Sequence, residues 1–386
     1  MQVSTLPDNI SYSTLTITIS GVRQNAVQIP RRELYDVRMQ LMAEDEDLPD
    51  NPSLSTLTPS GVPSSVACEG RKKEREVMLD FVNGHEDVRA GIYEGGLKSW
   101  ECSIDLVRWL ARQLKEKGEG GEEGLSIAQG FPRILELGCG TSLPSLFLFQ
   151  EAVKMRHSAT GQEECGVNGG GGGGEGKGGI TFHLADYNYE VLRLVTMPNI
   201  FLSWVLCTRP GALAAGAGHP NGDISVTEDL KAAFLTSLSR DHMNIQLGFI
   251  SGCWGDEMLS LLLQKKNTSY YNSNSNNNNK NNNNYYNMVL GSETIYEPRT
   301  AGEFTKVLVG CLGDGSGTGG GGGVGLVAAK QMYFGVGGSI EAFARGIRDR
   351  GGGWLVREVD HIGREGGGVG GVIVEVKKDP RWGAVQ

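Results

Sequence analysis

The stretch RILELGCGTSL, Arg133 to Leu143, decides the fold. It reads as an apolar strand that carries Glu136 near its end, turns through Gly138 and Gly140, and runs into a helix. Glycines at such a turn let the backbone bend tightly and approach a ligand closely. A dinucleotide-binding loop wants a third glycine three residues beyond Gly140, where the pyrophosphate meets the helix, and Leu143 stands there instead. The loop therefore suits a nucleoside better than a diphosphate. Glu136 adds a carboxylate near the loop, which repels phosphate and attracts an ammonium group. That combination points to S-adenosylmethionine, which carries an amine.

Moving outward, the next strand should end in an acid about 20 residues past the glycines, placed to hydrogen-bond ribose hydroxyls. Asp186, at the end of ITFHLAD, lies 46 residues after Gly140; removing the low-complexity span 157–179, 23 residues, leaves 23. Beyond it the chain alternates short β-rich runs with longer apolar-periodic segments, the pattern of a parallel α/β sheet. The strands are expected at 133–137, 180–185, 245–251, 288–292, 325–329, 354–361 and 372–377. Helices are expected at 104–117 with Ser103 as N-cap, 143–155, 189–206 and 340–350. Seven strands, the last two adjacent in sequence, predict a doubly wound sheet that ends in an antiparallel hairpin. Such sheets bind ligands at the carboxyl ends of the strands, near the point where strand order reverses.

Composition limits how much of the 386-residue chain is globular. Of its 58 glycines, ten fall among the fourteen residues from Gly166 to Gly179 and nine among the thirteen from Gly313 to Gly325. Twelve of the twenty-one residues from Asn267 to Asn287 are asparagine. These tracts hold too few apolar side chains to offset the entropy of ordering them. They are read as disordered insertions near 157–179, 265–286 and 313–324 within one domain spanning 85–386. Residues 1–84 are read as a largely disordered extension, a tail with one docking helix around 31–42. The remainder, at 39% hydrophobic overall, suffices for a sizeable core. No stretch approaches ~18 consecutive apolar residues and the first twenty residues lack a secretory pattern, so neither a membrane span nor a signal peptide is expected.

A net charge of −9 argues against direct nucleic-acid binding as the main activity. Seven cysteines without a C-x-x-C pair, and six scattered histidines, indicate neither a disulfide framework nor a metal site. Reduced thiols suit a cytoplasmic or nuclear protein.

At GIYEGGLKSWECSID, Gly91 to Asp105, the chain resembles the histidine protein methyltransferase family, the seven-strand enzymes that methylate a histidine of a large-subunit ribosomal protein. Further blocks match in order: LELGCG from Leu135, DYN at Asp186 to Asn188 with VTMPN at Val195 to Asn199, SGCW at Ser251 to Trp254, SETIYEP at Ser292 to Pro298, and AKQMYFGVGGSIEAF from Ala329 to Phe343. Insertions aside, the resemblance covers most of residues 85–378. It implies a Rossmann-like class I methyltransferase fold, S-adenosylmethionine as cofactor and a ribosomal protein as partner; a monomer is expected, with oligomeric state left open by the sequence. By the same resemblance, Trp100 and Glu101 lie against the cofactor, and Glu136, Gly138, Cys139 and Gly140 form its loop. Asp186, Tyr187 and Asn188 take the ribose and adenine side, and Gly252, Trp254 and Ser292 close the pocket. Two positions depart from the family: Glu136 stands where Asp is usual, and Cys253 where an acid is common.

Methyl transfer from a sulfonium is an in-line displacement, so catalysis rests on placing the nucleophile about 3 to 3.5 Å from the methyl carbon in a dry pocket. An imidazole with an unperturbed pKa of ~6.5 is largely neutral at pH 7, and the enzyme must select which ring nitrogen attacks. A carboxylate bonded to the other nitrogen fixes the tautomer, and Glu293, just past the strand at 288–292, is the candidate catalytic residue. Plainer roles stand beside these: Trp100 as an anchor for the helix after it, Cys139 as a small buried filler, Glu293 as a helix-start acid. Tyr333 and Phe334 belong either to a substrate-facing loop or to a strand-to-helix turn. Three other readings of the whole chain remain: a lysine methyltransferase of the same fold, a non-catalytic cofactor-binding module, and, weakest, a dehydrogenase.

Overall fold

The computed structural model describes residues 3–19, 26–46, 78–79, 95–115, 132–160, 178–213, 221–264, 284–312, 322–362, 370–379 and 381–382. In chain order its main elements are β1 (Asn9–Thr18), β2 (Ala26–Arg32), α1 (Leu34–Glu46), α2 (Glu101–Lys115), β3 (Arg133–Leu137), α3 (Leu143–Thr160), β4 (Ile180–Asp186) and α4 (Tyr189–Thr208). There follow β5 (Asn221–Ser225), α5 (Glu228–Leu238), β6 (Ile245–Ser251), α6 (Asp256–Leu263), β7 (Met288–Ser292), α7 (Pro298–Leu312), β8 (Val324–Lys330), α8 (Ile340–Asp349), β9 (Trp354–Ile362) and β10 (Gly371–Lys378).

Seven strands form one sheet in the order β6-β4-β3-β7-β8-β10-β9. The first five run parallel, and β10 pairs antiparallel with both β8 and β9. This is the expected doubly wound α/β sheet with its terminal hairpin. Strand order reverses between β3 and β7, which opens a crevice at their carboxyl ends. β3, β7 and β8 are almost wholly buried because helices cover both faces. Alternation along β3 sorts its side chains: Ile134 joins a core with α2, α3 and α4, while Leu135 and Leu137 join a second core with α6, α7 and α8. Glu136, two residues from Ile134, shares the face covered by α3.

The expected helix starting at Ile104 begins earlier, at Glu101, and Ser103 lies inside its first turn, where its hydroxyl donates to Trp100 O at 2.6 Å. α3 continues to Thr160, past the boundary of 157 set for the first insertion. Beyond their edges, the three low-complexity insertions lie outside the described residues. Helices α5, α6 and α7 were not anticipated. α4 is long and apolar enough to cross a membrane by length and composition, yet 83% of its most apolar window is buried, as in a core helix.

The extension is the larger correction. Within it, residues 9–18 and 26–32 are strands, and β1 sits between β2 and β5 in a second, antiparallel sheet. Ile10, Tyr12, Ile17, Val27 and Ile29 are buried in the same core as α3 and α4, so this part is neither tail nor disordered. Residues 47–77 and 80–84 of the expected extension, and residues 85–94 at the start of the expected domain, lie outside the described residues. Helix α5, which follows β5, is seated on α4 by aromatic packing: Phe234 meets Phe201 and Trp204 edge-on, with ring centroids 5.5 and 5.3 Å apart. Each such pair contributes about 0.5–1.5 kcal/mol beyond its burial. Arg32 tightens the joint, its buried guanidinium donating to Asp36 and to Leu194 O of α4.

Candidate functional site

The crevice at the carboxyl ends of β3, β4 and β7 holds a cavity of about 410 Å³, within the range of small-molecule sites. Its floor is the loop after β3. Gly138 has φ +66° and Gly140 φ +48°, the left-handed region that an L side chain enters at a cost of about 1–2 kcal/mol. Space explains the glycines as well. A Cβ on Gly138 would lie 2.8 Å from Thr294 Cγ2 and 3.4 Å from Trp254 Cζ2, and one on Gly140 would lie 3.0 Å from Gly96 O.

Asp186 at the end of β4 is the clasp of the floor. Its Oδ2 accepts from Gly140 N–H at 2.8 Å and its Oδ1 from Asn188 N–H at 3.2 Å. Cys139 N–H adds a bond to Ala185 O at 2.9 Å, so β3's loop is fastened to β4 on both sides. From α4, Thr196 Oγ1 donates to Gly140 O at 2.7 Å and Asn199 Nδ2 to Thr141 O at 3.2 Å. Asn199 Oδ1 also accepts from Arg32 N–H at 2.8 Å, which couples β2 to the glycine loop. Thr196 closes a π-helical turn over Leu192–Thr196 within α4, and Asn199 lies in the α-helical turn that follows.

One wall is GGLKSW. Trp100 faces the cavity, and its indole N–H donates to Gly95 O at 3.0 Å with Lys98 Nζ 5.3 Å above the ring. Anchor and lining residue are thus one role. Ser99 Oγ pairs with Thr141 Oγ1 at 3.1 Å and accepts from Arg31 at 2.8 Å, a second link from β2. The opposite wall comes from β7. Ser292 ends that strand and Glu293 follows with φ +57°, a left-handed conformation rare for a non-glycine residue. Such strain costs of order 1–3 kcal/mol and persists where surroundings enforce it. Tyr333 O–H donates to Glu293 Oε2, while Glu293 Oε1 and the neighbouring Thr294 Oγ1 are buried with no hydrogen-bond partner among the described residues. Burial beside Glu293 pushes the Tyr333 phenol far above its ordinary range, so it remains a donor. Trp254 completes the enclosure, edge-on to Phe304 at 5.2 Å.

Of the residues expected at a cofactor, Trp100, Gly138, Cys139, Gly140, Asp186, Tyr187, Gly252, Trp254 and Ser292 line this cavity, and so does Glu293. Three others stand elsewhere. Glu101 is exposed on α2, 3.8 Å from Lys330 Nζ. Asn188 is buried behind Asp186 at the start of α4. Glu136 lies wholly buried beneath the loop, where its Oε2 accepts from Ser145 N–H at 3.1 Å and from the Ser142 hydroxyl at 3.3 Å. Burial raises its carboxyl to about 7, against those hydrogen bonds, and Oε1 has no partner among the described residues. Its place is a brace for the start of α3, a correction to its expected position beside an ammonium group. Cys139 is buried and its thiol is pushed well above its ordinary range by desolvation, so it is filler rather than nucleophile.

Sequence reading missed Thr294, Tyr296, Glu297 and Arg299 in the cavity lining, although the first three belong to the SETIYEP block. It also left Thr196 and Asn199 without a role. The signal was their polarity within an otherwise apolar helix. Tyr333 to Gly338 is a hydrogen-bonded turn between β8 and α8, and it also delivers the Tyr333 hydroxyl to the cavity wall.

No family model matches the chain. Among curated proteins it is 31% identical over 338 residues to histidine protein methyltransferase 1 of Schizosaccharomyces pombe, covering 88% of this chain and 72% of that protein. It is 30% identical over 328 residues to histidine protein methyltransferase 1 of Saccharomyces cerevisiae, covering 83% and 68%. Among solved structures, Aeropyrum pernix fibrillarin with natively bound S-adenosyl-L-methionine aligns over 70% of this chain and 75% of that one, at 13% identity and a TM-score of 0.32.

Proposed function

The chain belongs to the histidine protein methyltransferase family, and from that membership we propose that it moves the methyl group of S-adenosylmethionine to a histidine of a large-subunit ribosomal protein. The carrying observation is that the blocks shared with the family converge on one cavity: GGLKSW, the glycine loop, Asp186, SGCW and SETIYEP all line it. The cavity also fits the cofactor by its own chemistry. The left-handed glycines keep the floor open, Gly252 leaves free space where a Cβ would stand, and Thr294 Oγ1 offers a buried polar atom still without a partner among the described residues. Asp186 brings an acceptor carboxylate to the strand end, positioned for ribose hydroxyls, and Trp100 and Trp254 supply apolar walls.

When bound, S-adenosylmethionine supplies an electrophilic methyl on a sulfonium centre. The protein's work is to exclude water, hold the acceptor imidazole in line and present it with its lone pair toward the methyl. Glu293 has the position to accept a hydrogen bond from the proton-bearing ring nitrogen and leave the other nitrogen free. A ribosomal acceptor is supported by the sequence blocks of the family, and implies action in the cytoplasm or nucleus, where ribosomal proteins are made and assembled.

The test is incubation of the purified protein with methyl-labelled S-adenosylmethionine and ribosomal proteins from cells lacking the enzyme, followed by acid hydrolysis and chromatography. Label is expected in methylhistidine and is expected to vanish in Asp186→Ala and Gly138→Arg. Label in methyllysine would overturn the histidine assignment, and cofactor binding without any label would leave a binding module.

A further inference from the structure

We propose that Tyr333 is the positioning residue that selects the imidazole nitrogen, by clamping the Glu293 carboxylate so that Oε1 alone is presented to the substrate. The inference rests on the methyltransferase reading above and adds to it the device that sets the product isomer.

Four observations carry it. Glu293 adopts a left-handed backbone at φ +57°, which fixes where its side chain leaves the strand end. Its backbone N–H is held by Ala328 O at 2.9 Å, so that conformation is pinned by β8. One carboxylate oxygen is occupied by the Tyr333 hydroxyl and the other, buried in the cavity wall, has no partner among the described residues. Tyr333 is itself fixed at every point: its hydroxyl accepts from Lys330 N–H at 3.2 Å, its ring lies edge-on to Tyr296 at 6.4 Å, and its backbone closes the turn to Gly337 and Gly338. A buried polar atom without a partner in a ligand cavity is a place for a ligand group. Because a carboxylate is an acceptor only, that group is an N–H or O–H donor.

A free carboxylate rotates and takes either ring nitrogen of an imidazole, so it does not discriminate between tautomers. With Oε2 occupied, a single oxygen in one orientation remains. The N–H of the substrate ring points at Oε1, and the lone pair of the other nitrogen faces the methyl. Methyl transfer then forms the N–C bond as the C–S bond breaks, with that electron pair departing on sulfur as the neutral thioether. The ring becomes an imidazolium whose remaining proton lies against Glu293, which stabilises the new charge, and the proton leaves to water as the product is released. Tyr333 touches neither reacting atom and acts only through Glu293.

The experiment compares wild type, Tyr333→Phe, Glu293→Gln and the double variant, using ribosomal proteins from cells lacking the enzyme as acceptor. Affinity for S-adenosylmethionine is measured by calorimetry, and the two methylhistidine isomers are separated after hydrolysis. Wild type is expected to give one isomer. Tyr333→Phe, which keeps the ring packing on Tyr296, is expected to bind cofactor within twofold of wild type, to lose at least tenfold in kcat and to yield both isomers. The double variant is expected to be no worse than Glu293→Gln, as for residues acting through one another. A single unchanged isomer from Tyr333→Phe, at any rate, would overturn the proposal. So would a tenfold loss of cofactor affinity, which would assign Oε1 to the cofactor, or additive effects in the double variant. Absence of methylhistidine from wild type would instead sink the functional reading on which the proposal stands.

Discussion

Replacing Glu136 by glutamine should change the dependence of stability on pH in a way set by its burial. The carboxyl is fully buried on the α3 face of β3 and titrates near about 7 in the folded protein, against an ordinary value of 4.5. A raised carboxyl contributes stability that is fully present below about 4.5 and lost as pH climbs to about 7. That difference corresponds to about 3 kcal/mol in all, most of which falls between pH 5 and pH 8. A glutamine side chain does not ionise, so the variant escapes that loss. Its amide nitrogen, however, would occupy the site of Oε1, which has no partner among the described residues, at a pH-independent cost of about 1–3 kcal/mol. Glu136→Gln should therefore be less stable than wild type at pH 5 and should close or reverse the gap by pH 8. Urea unfolding of both proteins at pH 5, 6, 7 and 8 measures this directly. A stability difference that stays constant to within about 0.5 kcal/mol across the range would refute the assignment of a costly buried charge to Glu136.

Three further outcomes are expected. Gly138→Ala must adopt φ +66° and drive Thr294 Cγ2 from 2.8 Å, so it should lose about 1–2 kcal/mol in denaturant unfolding from backbone strain alone and, in calorimetry, bind S-adenosylmethionine more weakly still. Asn199→Ala leaves Arg32 N–H and Thr141 O unpaired in the interior, a loss of about 1–3 kcal/mol, and cofactor affinity should fall with it because the glycine loop loses one of its two ties to β2. Phe334 is 76% exposed beside Tyr333, so Phe334→Ala should raise KM for the protein acceptor several-fold in the methylation assay while leaving cofactor affinity within twofold.

The centre of the sheet was legible because its signals are local. β3, its two glycines and the helix after them follow one another within eleven residues, and Asp186 returns to the expected distance once a glycine tract is set aside. The extension was misread because β1 finds its second partner, β5, two hundred residues away, and β5 has only five residues, NGDIS, with one buried side chain. The alternation of Ile10 and Tyr12 along β1 was the available clue. Glu136 illustrates a different limit. Its nearness to the loop was correctly read, but the face it occupies follows from the strand's period of two together with knowing that α3 covers Ile134's side. Nothing in SETIY shows that Glu293 is left-handed, since that conformation is imposed by β8 and by Tyr333, forty residues later.

The position of β1 also sets an order for the birth of the molecule. On the ribosome β1 is complete at Thr18, whereas β5 begins at Asn221, 203 residues later. At roughly 5–20 residues per second, this interval lasts on the order of 10–40 s. During it the hairpin of β1 and β2 has neither its outer strand nor α4 to lie on, and an isolated hairpin is marginal in water. Asn199, which joins that hairpin to the glycine loop, emerges only near the end of the wait. The nascent chain thus carries Ile10, Tyr12 and Ile17 uncovered for most of that period, and a cofactor floor braced from both sides exists only after Asn199 has left the tunnel.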